Sequence, residues 1–112
     1  MIGISTHVLD TAKGRPAHGV RVTAEHMSPR GKFIAAGEGI TDNNGRIAQL
    51  LAGGAALEAG VYRLTFDVGD YFKDQDHFYS EVMVSFLVRD PSTHYHVPLL
   101  LSPYGYTTYR GT

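Results

Sequence analysis

Val61-Tyr62-Arg63-Leu64-Thr65-Phe66-Asp67-Val68 alternates without a break, with Tyr62, Leu64, Phe66 and Val68 on one side and Arg63, Thr65 and Asp67 on the other. Side chains two apart share a face only in a strand, so this octet reads as a β-strand with one buried face. The same period runs through Gly19-Val20-Arg21-Val22-Thr23-Ala24-Glu25-His26-Met27, with residues 20, 22 and 24 set against 21, 23 and 25. Glu81-Val82-Met83-Val84-Ser85-Phe86-Leu87-Val88-Arg89 is nearly continuous in apolar, β-branched and aromatic residues, the pattern of a strand buried on both faces.

Turn chemistry separates these runs. Lys13-Gly14-Arg15-Pro16, Ser28-Pro29-Arg30-Gly31, Asp42-Asn43-Asn44-Gly45, Gly53-Gly54, Asp90-Pro91-Ser92 and Pro103-Tyr104-Gly105 each combine Gly or Pro with polar turn formers. Many short strands with turns between them indicate a β-sandwich or barrel. One stretch departs from this. Gly69-Asp70-Tyr71-Phe72-Lys73-Asp74-Gln75-Asp76 has no β-branched residue, and Asp70 is placed to cap a single short helix after the strand at 61 to 68.

The 112 residues fit one domain, 1–112, since domains most often run roughly 100 to 150 residues. A domain of this size buries only about 60 to 70% of its unfolded surface, so association through an apolar face is expected. Ten Lys and Arg against eleven Asp and Glu give a net charge of −1 with no basic run, which argues against nucleic acid as a partner. There is no cysteine and therefore no disulfide framework. No stretch reaches the roughly 18 apolar residues of a membrane span. The segment after Met1 has neither a basic start nor a long apolar run, so a cytoplasmic protein is the expectation.

Chemistry concentrates near the two ends. His94 and His96 sit two apart on a candidate strand and share a face, with Tyr95 and Val97 on the other. His7 lies on another candidate strand. Two imidazoles on one face make an acid/base pair or half of a metal site, and three histidines can hold zinc with one position open for water. A lone histidine is more often an ordinary partly buried residue, which is the reading for His18, His26 and His77. Arg46, after the turn 42–45, reads by itself as a surface arginine. Leu99-Leu100-Leu101 is core or an apolar contact between subunits. The final residues 93–112 are unlike a frayed end, because histidines, tyrosines and Arg110 crowd toward the terminal carboxylate.

Taken together, Ser5-Thr6-His7-Val8-Leu9-Asp10, Thr41-Asp42-Asn43-Asn44-Gly45-Arg46, His94-Tyr95-His96-Val97-Pro98-Leu99-Leu100-Leu101-Ser102-Pro103 and Tyr109-Arg110-Gly111-Thr112 resemble the 5-hydroxyisourate hydrolases, the enzymatic branch of the transthyretin-like family. The resemblance covers nearly the whole chain. It departs from the family at Thr112, where Ser is usual. It implies a mostly β, transthyretin-like two-sheet sandwich of about eight strands with one short helix. It also implies hydrolytic opening of 5-hydroxyisourate to 2-oxo-4-hydroxy-4-carboxy-5-ureidoimidazoline in urate degradation. His7, Arg46 and His96 would be catalytic, and Tyr109, Arg110, Gly111 and Thr112 would bind substrate, with no metal and no cofactor. The implied assembly is a homotetramer with sites at the dimer–dimer interface. The rival readings are a transthyretin-like carrier of small aromatic ligands, whose members lack this set of residues, and a structural sandwich with surface histidines.

Overall fold

The computed structural model describes residues 2–112. Its strands are β1 (Ile4–Asp10), β2 (Arg15–Pro16), β3 (Arg21–Met27), β4 (Phe33–Ile40), β5 (Arg46–Ile47), β6 (Gly60–Phe66), β7 (Val82–Val88), β8 (Tyr95–Ser102) and β9 (Gly105–Thr108), with one helix, α1 (Val68–Tyr71), and a 3-10 turn at Ala52–Gly54. One sheet has the order β2-β1-β8-β9, with β5 also on β1, and the other has β4-β3-β6-β7. The pair β1/β8 is parallel, running from Ile4 beside Tyr95 to Asp10 beside Leu101. The other pairings are antiparallel.

The alternation read from the sequence is what builds the core. Val22 and Ala24 of β3 and Tyr62, Leu64 and Phe66 of β6 are buried, facing Ile4 and Val8 of β1 and Val97, Leu99 and Leu101 of β8. Leu100, between two fully buried leucines, is only half-buried on the opposite face. The two buried polar side chains of β1, Thr6 and Asp10, are both satisfied. The Thr6 hydroxyl donates to the Val97 carbonyl at 2.6 Å, and Asp10 accepts from the Ala12 and Lys13 amides and the Tyr71 hydroxyl. Desolvation and then that bond to Asp10 push the Tyr71 phenol up to about 12.

Two expectations are corrected. The helix is capped by Asp67, not Asp70: the Asp67 carboxylate accepts the Asp70 amide, and Val68, expected to continue the strand, is instead the buried first residue of α1. The strand at 82–88 is not covered on both faces. It is an edge strand, and Met83 and Leu87 are each 46% exposed, because none of the described residues lies over the outer face of the β4-β3-β6-β7 sheet there.

Candidate active site

The parallel β1/β8 pairing sets residues 91 positions apart side by side. Ile4, Thr6, Val8 and Asp10 point into the sandwich, so Ser5, His7 and Leu9 point outward. On β8 the buried residues Tyr95 and Val97 flank the outward His96, and the register puts Ser5 directly beside it. His7 is in turn opposite Arg46 of β5. Directly paired residues share a face with Cβ atoms roughly 5 Å apart. His7, Arg46 and His96 therefore meet on the outer surface of one sheet.

The segment 41–46 divides its labour. Thr41 is buried, donating through its hydroxyl to the Ala17 carbonyl at 2.7 Å and accepting the Val20 amide at 2.9 Å. The Asp42 carboxylate accepts the Asn44 and Arg46 amides, which hold it below its ordinary pKa. Gly45 turns the chain at φ 74°, and a Cβ there would lie 2.4 Å from the Val8 carbonyl oxygen, so no other residue fits. Three residues make a rigid turn, and the fourth, Arg46, is left exposed beside His7.

Burial lowers the His7 pKa from the ordinary 6.5, and the Arg46 guanidinium lowers it further, while a backbone hydrogen bond at Asn44 and the Asp42 carboxylate oppose the change. His96 is also lowered, first by burial and then by Arg46, His7 and His94. Both rings are thus held toward the neutral form at neutral pH. The Ser5 hydroxyl joins the remaining histidine to this group, with Oγ 2.7 Å from His94 Nε2 and 2.7 Å from His96 Nδ1. Sequence reasoning had passed over Ser5. The available signal was its position two residues before His7 on one strand, which gives the two residues a common face.

The tail continues the β9 register past its last strand residue. The Gly111 amide donates to the His96 carbonyl at 2.8 Å. A Cβ on Gly111 would meet His96 Cδ2 at 2.6 Å and Pro98 Cγ at 2.9 Å, so only glycine lets the tail lie this close to the imidazole. Tyr109 and Thr112 are exposed on either side of it. Arg110 goes elsewhere within the single chain. Its guanidinium carbon stacks 4.4 Å from the centre of the Tyr95 ring, in a cavity of about 380 Å³ shared with Phe86, Val97 and Thr108. Among the described residues no three His, Cys, Asp or Glu side chains converge in metal-binding geometry. Nor is any helix long and apolar enough to cross a membrane.

Residues 4–111 match the model of the HIUase/Transthyretin family. The chain belongs to that family. Among relatives within the HIUase/Transthyretin family, a Caulobacter vibrioides protein named 5-hydroxyisourate hydrolase is 44% identical over the full length of both chains. The 5-hydroxyisourate hydrolase 2 of Rhizobium meliloti is 42% identical over 97% of this chain and 95% of its own. Of solved structures, Klebsiella pneumoniae 5-hydroxyisourate hydrolase superposes with a TM-score of 0.80 at 36% identity, covering 100% of this chain and 94% of that one. Sea bream transthyretin in complex with thyroxine superposes with 0.89 at 31%, covering 97% and 94%. The backbone of a HIUase/Transthyretin member thus fits hydrolase and transthyretin alike, and the side chains must decide between them.

Proposed function

We propose that this protein hydrolyses 5-hydroxyisourate to 2-oxo-4-hydroxy-4-carboxy-5-ureidoimidazoline. The observation that carries the reading is the meeting of His7, Arg46 and His96 on one sheet face, with Gly111 laid against His96. Opening a cyclic amide-like bond needs a water relieved of a proton, stabilisation of charge on the attacked oxygen, and a proton for the departing nitrogen. Two neutral imidazoles and a guanidinium supply these groups. Arg46 presents a fixed fork of donors to an oxygen-rich anionic ring, and Tyr109, Gly111 and Thr112 shape the rim.

In this proposal four copies assemble and the sites lie in a channel between dimers. Support comes from the half-buried Leu9 and Leu100, which extend the catalytic face as an apolar surface. Arg110, facing away from His96 within one chain, binds substrate only if assembly or ligand redirects it. The carrier reading has the higher backbone similarity, 0.89 against 0.80, in its favour. It gives no reason for two histidines lowered in pKa beside an arginine. Mixing the protein with freshly generated 5-hydroxyisourate and following absorbance decay separates the two readings, since a carrier leaves the spontaneous rate unchanged.

Two outcomes follow from the site. Arg46→Lys keeps the charge but loses the fork, and should lower kcat/KM by roughly 5- to 150-fold, about 1 to 3 kcal/mol, with the melting temperature unmoved. Native kcat/KM in that variant rejects the clamp. Because His7 and His96 both have pKa values below 6.5, their working neutral forms dominate above that pH. A pH series should give kcat/KM flat from about pH 7 to 8 and falling on acidification below about 6.5. The same sign applies to folding. The unfolded chain binds protons more readily at these groups, so stability is also lost as pH falls through that range. A rate that rises toward acid would mean that a charged imidazole does the work.

A further inference from the structure

The contacts of Ser5 assign different jobs to the two catalytic histidines. A serine hydroxyl carries one proton, and Ser5 Oγ sits 2.7 Å from both His94 Nε2 and His96 Nδ1. The other nitrogen of His94, Nδ1, is buried with no hydrogen-bond partner among the described residues. If Ser5 donates to His94 Nε2, the His94 proton must sit on Nδ1, leaving a buried N–H unpaired. If Ser5 accepts from both rings, its own O–H has no acceptor among the described residues. If His94 Nε2–H donates to Ser5 and Ser5 O–H donates to His96 Nδ1, both protons between the three groups are used, the His96 proton is left on Nε2 outside the chain, and the buried atom without a partner is only a lone pair on His94 Nδ1. An unpaired buried acceptor is the mildest of the three defects, since orphaned buried donors are the rarest.

We propose that Ser5 and His94 are positioning residues that fix His96 as a neutral imidazole with its proton on Nε2, leaving His7 as the only histidine that carries a proton through the reaction. This rests on the hydrolase reading above. A charged His96 is opposed by burial and by the adjacent Arg46, His7 and His94. A charged His94 would put an N–H on its unpartnered Nδ1. With Nδ1 of His96 engaged as an acceptor, its Nε2–H can give a hydrogen bond but not a proton, because loss of that proton would leave an imidazolate. His7 has no such tie to Ser5.

The cycle then balances with one proton carrier. The water oxygen bonds to the attacked carbonyl carbon and gives its proton to the lone pair of His7. The carbonyl π pair moves onto oxygen, where His96 Nε2–H and Arg46 meet the charge. When the carbonyl re-forms, the carbon–nitrogen bond breaks and His7 returns the proton to the departing nitrogen. Water has been added across that bond, and His96 ends as it began.

The first test needs no substrate. Long-range proton–nitrogen NMR of the ligand-free protein labelled with 15N-histidine, at about pH 7.5, should find protons on Nε2 of both His94 and His96. A proton on His96 Nδ1 with a bare Nε2 overturns the assignment. In kinetics, Ser5→Ala should lower kcat by about 10- to 100-fold with KM within about threefold, and show mixed tautomers at His96, while Ser5→Thr restores both. His96→Gln, which keeps a neutral N–H donor, should retain at least about tenfold more turnover than His7→Gln. The reverse order also overturns the proposal. Wild-type protein that does not accelerate decay of 5-hydroxyisourate removes the hydrolase reading instead, and the tautomer result stands apart from it.

Discussion

Changing His7 to Asn lowers kcat/KM on 5-hydroxyisourate by about two to four powers of ten, the range expected when the group that takes and returns the reacting proton is removed. His96→Asn causes a loss of the same kind, because the shorter amide cannot bring a donor to where Nε2 stood. The double variant loses much less than the product of the two. Both residues serve one transition state, and once either is absent the other has little left to stabilise. Neither change should disturb folding, since both side chains lie outward on the sheet while the core is built from the inward set of Ile4, Val8, Val97 and Leu99. Single-turnover rates beside thermal melts check both points. Fully multiplicative losses would mean that the two imidazoles act separately.

Deleting Tyr109-Arg110-Gly111-Thr112 removes most activity and leaves the sandwich folded. The segment contributes no fully buried side chain, but the Gly111 amide bonds the His96 carbonyl and its backbone lies against the imidazole. Gly111→Ala isolates that approach. Its methyl would stand 2.6 Å from His96 Cδ2, so either the tail or the ring must move, and a shift near 1 Å in a catalytic group costs on the order of 100-fold in rate. Thr112→Ser is nearly silent, because the hydroxyl is kept. The measurements are turnover, melting temperature and size-exclusion mass for each variant. A truncated protein that turns over normally would take the tail out of the site, and one that elutes as monomers would show that it serves assembly first.

The sequence displayed its strands where one face is buried and the other wet. Val20, Val22 and Ala24 and then Tyr62, Leu64 and Phe66 alternate because each polar neighbour meets water. Strand β4 was not legible. Ala35, Ala36, Gly37 and Gly39 give it almost no contrast between faces. Strand β7 misled for the opposite reason: its continuous apolarity reads as two buried faces, yet Met83 and Leu87 are exposed on an edge strand. Period alone also names no partners, so nothing in residues 4–10 announced a parallel match with 95–101. For the site, the resemblance pointed to the histidines and Arg46, and the structure added what spacing could not, the Ser5 link between His94 and His96 and the turn of Arg110 onto Tyr95.

The parallel seam between β1 and β8 also decides when the site comes into being. His7 and Arg46 are 39 residues apart and can meet through β1 and β5 early in folding, but Ser5 reaches His96 only across 91 residues. Contacts at such separation form slowly, because a long loop must be closed before anything rewards the closure. During synthesis β1 therefore keeps one edge open until β8 has been made, a period in which it can pair with the wrong neighbour. An emerging chain would hold the His7 and Arg46 half of the proposed site from early on and gain the Ser5 and His96 half only when β8 arrives.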